Sequence, residues 1–457
     1  EAWRRADFGS NAWAICGITH TTSTMGIMQG FFDLRMAPVM DWDAVICTSH
    51  AVQGAVNVQM ELIDDHIRQR FRVEPPPRPM LPVVPLGIHC DDFTRDPAAR
   101  QRLREQLGCG PDDVVFSTIA RLTPHEKFDP LPIFLAMQAA QRTLPKGQKL
   151  HVVFCGMFRQ PYSRDVFVQG AARLMPDVGF LLLDGNLADD RRATLSGADV
   201  SLFMIDNIQE TFGLAPLEGM AAGLPMLVSD WDGMKDTVTP DVGLRVKTRM
   251  LGPRHLANES IRLQGGIDDY AQYCAAVSAM TEVDMPDLTA RILDLATNPA
   301  LCRQMGEAGL ARVRSHYDWS VVIPQFQSLW AEQEARRKAG AARALRTAGY
   351  RLPIAPSPTL LFAGYPSETA EFSSQRFAAN DLTDRVSLVD TLAVRNYQAL
   401  NRYFATAEQI SAVLSVIAAR AGEGADVAAI TGATQMNSMF ADRILIWLLK
   451  YDFIRRL

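Results

Sequence analysis

Short apolar runs alternate with longer stretches of helical period from the start of the chain to about residue 330. Eight runs read as strands: residues 14–19, 44–48, 81–86, 114–120, 150–155, 179–183, 200–204 and 225–229. Most are rich in Val, Ile, Leu and Phe with little polar alternation, which suits parallel strands buried on both faces. Helical patterns between them imply βαβ units and a doubly wound α/β sheet. Three of the strands precede residue 100, about half of what a complete domain of this kind carries. The first domain therefore reads as partial, with further sequence expected upstream of Glu1, and the second as complete. After residue 332 the pattern changes. An Ala/Arg/Lys-rich stretch with Arg336, Arg337, Lys338, Arg343 and Arg346 reads as a solvated helix or linker. A Pro-rich loop follows, and the tail from about 380 is mainly helical. The expected division is 1–105, 106–332, 333–379 and 380–457.

Composition narrows the class. A chain of 457 residues holds roughly three domains at about 150 residues each. Hydrophobic content of 48% with 21% charged residues fits globular protein with several cores. A net charge of -5 gives no reason to expect a nucleic-acid partner. No apolar run approaches the roughly 18 residues of a membrane span, and no secretory signal is visible. Cys16, Cys47, Cys90, Cys109, Cys155, Cys274 and Cys302 are scattered and form no C-x-x-C pair, so they read as buried hydrophobes in a reducing cytoplasm. The expected location is cytoplasmic. The basic stretch leaves room for peripheral contact at the inner face of a membrane.

The candidate chemistry centres on residues 209–225, QETFGLAPLEGMAAGLP. Pro216 suits a first helical turn, and Gly223 with Pro225 is a stop signal. The Glu210–Leu214 loop thus lies after a strand and before a helix, where open α/β sheets bind ligands. Free N–H groups and the helix dipole favour a phosphate there. Glu210 and Glu218 supply carboxylates, which accept from paired sugar hydroxyls. A second element is Ala120-Arg121-Leu122-Thr123-Pro124-His125-Glu126-Lys127, directly after a strand. Two cations converging there suit a pyrophosphate. A third is Ile15-Cys16-Gly17-Ile18-Thr19-His20, a strand ending in histidine.

Over residues 12–330 these elements resemble family-four retaining glycosyltransferases of the GT-B fold, the glycosyl transferases group 1. The string around Glu210 and Glu218 is similar to their E-x7-E signature. The resemblance implies two facing Rossmann-like domains and a nucleotide-sugar donor. It implies that Glu210 contacts the donor sugar and Glu218 the ribose. Backbone groups of Thr211, Phe212, Gly213 and Leu214 would meet the sugar and its phosphate. Arg121 and Lys127 would stabilise the leaving diphosphate, and His20 would face the donor sugar. Pro85-Leu86-Gly87-Ile88 is similar to the family's linker motif, with Leu86 and His89 replacing Asn and Asp. Tyr317-Asp318-Trp319 resembles its terminal motif. The chain departs from the pattern at Ala120 and Phe128, where glycines are usual, and at Ile205-Asp206, which replaces Pro-Ser. No cofactor or metal is implied. The triplets Asp41-Trp42-Asp43 and Asp230-Trp231-Asp232 have the spacing of a metal-binding D-x-D, but the paired cations already offset phosphate charge.

The tail has the cadence of a winged helix-turn-helix. Ile410, Val413, Leu414 and Ile417 form one apolar face, and Ile444, Leu445, Leu448 and Leu449 another. Its near-balanced charge speaks for packing or a protein partner, with no specific DNA binding. The leading expectation is an enzyme of glycan biosynthesis moving a sugar to a glycan, lipid or protein acceptor. The alternative is a non-catalytic or regulatory protein built on a degenerate glycosyltransferase.

Overall fold

The runs between residues 114 and 246 build one parallel sheet. In the computed structural model, which describes residues 1–381, 383, 386–394, 404–420 and 422–457, two short strands come first: β1 (Cys16–Ile18) and β2 (Ala44–Ile46). The main sheet comprises β3 (Val114–Arg121), β4 (Leu150–Met157), β5 (Gly179–Asp184), β6 (Val200–Phe203), β7 (Met226–Ser229) and β8 (Gly243–Val246). Its order is β5-β4-β3-β6-β7-β8, and every pairing is parallel. Phe116, Val152, Phe154, Val200, Leu227 and Val228 are fully buried between the helical layers, as unalternating apolar strands require. The chain runs outward from β3 to β5, then returns to the other side of β3 to make β6. A topological switch point therefore lies between the carboxyl ends of β3 and β6. Close approach at that end needs Gly156, where a Cβ would come within 1.9 Å of the Ala120 carbonyl oxygen.

The sequence pattern misses β8 and the antiparallel pair β9 (Thr248–Met250) and β10 (Thr281–Val283). Between β9 and β10 lie the helices Ala257–Gln264 and Tyr270–Ala279.

In the first half, β1 and β2 pair in parallel. The strand expected at 81–86 is not formed. Only isolated bridges join Ala44 to Met80 and Cys47 to Val83, because Pro82 and Pro85 have no N–H to donate to a ladder. Helix Trp319–Ala339 runs through the boundary expected at 332 and docks on this half. Gln333 is buried, and its amide donates to the carbonyls of Ile15 at 2.9 Å and Trp42 at 3.0 Å. The basic stretch is accordingly not a free linker. Arg336 pairs with Glu332, and Arg337 and Lys338 pair with Glu334, while Arg343 reaches Asp41 at 3.0 Å. Asp318 caps this helix, accepting from Ser320 N at 2.9 Å. A Cβ on Gly87 would lie 2.7 Å from the Trp319 ring, so the two motifs at 85–88 and 317–319 pack on each other. Helix Pro97–Leu107, which spans the boundary expected at 105, is tied to the second domain. Arg100 and Arg104 bracket Asp199 at 2.7 and 2.8 Å.

Residues Glu1–Ile354 form one compact unit and Ala355–Leu457 another. In the second unit, β11 (Arg376–Ala379) lies between β12 (Ala425–Asp426) and β13 (Ile454–Arg456) in an antiparallel sheet. Helices Ala407–Ala418, Val427–Thr434 and Ser438–Lys450 complete it. Thr406 and Gln409 form a capping box. Ile410, Val413, Ile417, Ile444, Leu445 and Leu448 are buried in one core, with Leu414 and Leu449 packed against it. The helical faces read from the sequence thus meet each other. The strands, two to four residues long, are what that reading lacked. Residues 395–403 of the expected module lie outside the described residues. No helix among the described residues is long and apolar enough to cross a membrane.

Candidate functional site

The loops after β3 and β6 meet at the switch point. Lys127 Nζ forms an ion pair and hydrogen bond with Glu210 Oε2. Arg121 Nη2 donates to Gln209 Oε1 at 2.5 Å. The other Glu210 oxygen accepts from the backbone N–H groups of Thr211 at 3.2 Å and Phe212 at 3.4 Å. Burial pushes the Glu210 carboxyl up, but Lys127 and these hydrogen bonds outweigh it and hold the group below its ordinary value.

Three residues fix this arrangement from beneath. Asn207 is fully buried; its Nδ2 donates to the His125 carbonyl at 3.0 Å, and its own carbonyl accepts from Trp231 Nε1 at 3.1 Å. It holds the two loops and the turn after β7 together. Phe128 is fully buried against Phe154 and Phe167, with ring centroids 6.2 and 5.8 Å away. The departure from glycine there pins the loop carrying Lys127 to the core. Asp206, buried below, accepts from Asp129 N at 3.3 Å, and burial pushes its carboxyl up to about 7.

Gly213 has φ +83° and stands at the N-cap of helix Leu214–Ala221. Gly233 lies so close to the Phe212 backbone that a Cβ would fall within 2.5 Å of it. Thr211 and Phe212 are buried and Leu214 is exposed. The Phe212 ring packs 6.2 Å from that of Tyr317, so its side chain belongs to the core while its backbone lines the loop.

Glu218 stands apart from Glu210. It lines a cavity of about 320 Å³ with Thr94, Ile119, Arg191, Arg192 and Ser196. Burial raises the Glu218 carboxyl above its ordinary value, and Arg191 opposes the shift.

The first half roofs the site. Thr211 Oγ1 donates to the His20 carbonyl, and Thr48 Oγ1 to the Thr211 carbonyl at 3.2 Å. Ser49 Oγ donates to Asp232 Oδ1 at 3.1 Å, and His50 N to Asp236 Oδ2 at 2.8 Å. The His20 side chain is exposed, so its backbone makes the contact seen here. Asp232 has φ +40°, its Oδ2 is buried without a hydrogen-bond partner, and burial pushes its carboxyl up to about 7.

Residues 99–263 match the family model described as glycosyl transferases group 1. Over that stretch the chain is similar to the glycosyl transferases group 1. The stretch contains β3 through β9, both cation-bearing positions and both glutamates. The chain is similar to a putative glycosyltransferase EpsD of Bacillus subtilis (strain 168), with 24% identity over 223 residues, covering 48% of this chain and 55% of the relative. It is also similar to a D-inositol 3-phosphate glycosyltransferase of Geodermatophilus obscurus, with 31% identity over 182 residues, covering 36% and 37%. The match thus spans about half or less of these curated relatives. Among solved structures, HepE of Anabaena in complex with UDP gives a TM-score of 0.47 at 16% identity, covering 70% of this chain and 72% of that one. A sucrose-phosphate synthase of Thermosynechococcus elongatus gives 0.44 at 18%, covering 70% and 68%.

Within the matched stretch, Arg121, Lys127, Glu210 and the Thr211–Leu214 loop come together, and Glu218 opens into its own cavity. Asn207 was not singled out in the sequence; a loop asparagine carries no local signal of contacts made 82 positions away. The D-x-D triplets are engaged with protein groups. Asp43 is buried against Arg5 at 2.6 Å, and Asp230 pairs with Arg245 at 3.2 Å. Among the described residues Cys109, Asp113 and His151 have metal-ligand spacing. Asp113 there accepts from Gly110 N at 2.7 Å and Lys149 N at 2.8 Å, which suits a turn-fixing role.

Proposed function

We propose that this chain transfers a sugar from a nucleotide-sugar donor to an acceptor, with retention and without a metal. The observation that carries the reading is the convergence of Arg121, Lys127, Glu210 and the start of helix Leu214–Ala221 at the β3/β6 switch point. A diphosphate there meets two cations and a helix N-terminus. Lys127 and Glu210 neutralise each other before the donor arrives. The diphosphate then takes Lys127, and Glu210 is freed to accept from sugar hydroxyls. Glu218 holds the ribose in its cavity, and the 19–23 loop, with His20, closes over the sugar. The bond from the anomeric carbon to the phosphate oxygen breaks, and the acceptor oxygen bonds that carbon on the same face. The acceptor proton passes to the departing phosphate, so no protein base is required. Charge growing on the leaving diphosphate is stabilised by Arg121, Lys127 and the helix end. The acceptor is a glycan, lipid or protein, and no specific nucleic acid is bound. The reading of a non-catalytic, degenerate site is not favoured, because the charged groups that the chemistry needs stand together.

Sugar release from a panel of UDP-, GDP-, ADP- and dTDP-sugars, with and without EDTA, tests the metal-free reading. Activity is expected to survive chelation. Full loss with rescue by manganese would move the role to carboxylates such as Asp230 and Asp232 and refute it.

A further inference from the structure

The segment 251–280 between β9 and β10 adds two helices that the parallel sheet does not need. Its second helix, Tyr270–Ala279, faces the loop that carries Lys127. Between them lies an open pocket of about 500 Å³, lined by His125, Asp129, Tyr162, Asp269, Gln272 and Ser278 among others. Tyr162 is 49% exposed. Its ring stacks on His125 with centroids 5.5 Å apart and planes 28° apart, and its hydroxyl lies 2.6 Å from His125 Nδ1. Both rings line the pocket and give it an aromatic wall. Asp129 stands in the same pocket; its Oδ1 accepts from Leu131 N at 2.9 Å, and burial raises its carboxyl above the ordinary value. Asp269 and Gln272 are held in place by a capping box at the start of the helix.

The lining selects its ligand by exclusion. It contains two aspartates and no lysine or arginine, so a phosphate or carboxylate ligand meets repulsion and no counter-charge. A wholly apolar ligand would strip water from the carboxylates without replacing its hydrogen bonds. A neutral, polyhydroxylated ring satisfies both constraints. Its C–H face covers the aromatic wall, while its hydroxyls donate to carboxylate and amide oxygens.

The position links the pocket to the proposed reaction. His125 and Asp129 flank Lys127 in sequence on the same loop, and Tyr270, next to Asp269, holds Ser23 of the first half at 2.7 Å. We propose that this pocket is a binding subsite for a neutral pyranose ring of the acceptor, which makes the acceptor a carbohydrate. The assignment of the ring to an acceptor rests on the glycosyltransferase reading.

Saturation-transfer NMR on the intact chain tests the subsite directly. The probes are methyl glycosides of glucose, galactose, mannose and N-acetylglucosamine, with uridine and adenosine alongside. At least one glycoside is expected to bind. Tyr162→Ala is expected to weaken it about tenfold or more, Tyr162→Phe to retain it, and neither to change nucleoside diphosphate affinity. Absence of glycoside binding, binding indifferent to Tyr162→Ala, or binding of the nucleosides in its place would overturn the proposal. Failure of the donor reading is distinguishable: nucleoside diphosphates would not bind at all, while Tyr162-dependent glycoside binding would still establish the sugar subsite.

Discussion

Replacing Lys127 by alanine is expected to lower turnover by on the order of 10²-fold or more, with a much smaller effect on donor binding. The diphosphate is already anionic in the bound donor, and further charge develops on it as the glycosidic bond breaks. A cation beside the diphosphate would therefore contribute most in the transition state. Arg121→Ala should act in the same direction. The ion pair adds a second signature. Burial pushes the Glu210 carboxyl up, and Lys127 is the largest influence holding it down. Without Lys127 the folded-state value rises, so Glu210 becomes protonated at higher pH. The acid limb of the residual activity in Lys127→Ala should shift upward relative to wild type. Steady-state kinetics across pH on a folded variant check both effects. Wild-type turnover in Lys127→Ala would contradict the assigned role.

Phe128→Ala is expected to destabilise the chain by about 3–5 kcal/mol, the usual cost of emptying a buried aromatic site. Phe128 packs among Phe154 and Phe167, which in turn meet Phe134. These rings leave little freedom to collapse into the space. The same change unpins the residue next to Lys127, so turnover should fall even where the variant is folded. Denaturant titration measures the first effect. A loss under about 1 kcal/mol would mean that the loop is not anchored through this ring.

The strands of the main sheet were legible because burial on both faces demands continuous apolar runs, as at Val200–Phe203 and Met226–Ser229. β8 escaped because Arg245 interrupts it at a sheet edge. The pair β9 and β10 escaped because its short strands carry no continuous apolar run, Val283 being the one buried residue of the six. The 81–86 run was apolar enough for a strand, but its prolines blocked the ladder. The basic stretch after 332 looked solvated because its charges dominate the composition, yet the buried amide of Gln333, with Arg337 on the Asn11 carbonyl and Arg343 on Asp41, docks it. At the site, the residue types after each strand were readable from local rules of phosphate binding. That Lys127 and Glu210 pair, while Glu218 faces a different cavity, was not. Eight positions of sequence do not reveal the turn at Gly213, and the girder Asn207 depends on long-range contacts.

The central claim is a donor-nucleotide site at the β3/β6 switch point with Glu218 on the ribose. Calorimetric titration of the intact chain with UDP, GDP, ADP and dTDP in metal-free buffer tests it most directly. The account predicts one-to-one binding of at least one of them, weakened about ten- to a hundredfold in Glu218→Ala by loss of charged hydrogen bonds, with unchanged thermal unfolding. Binding of none, or equal affinity in wild type and variant, would contradict it.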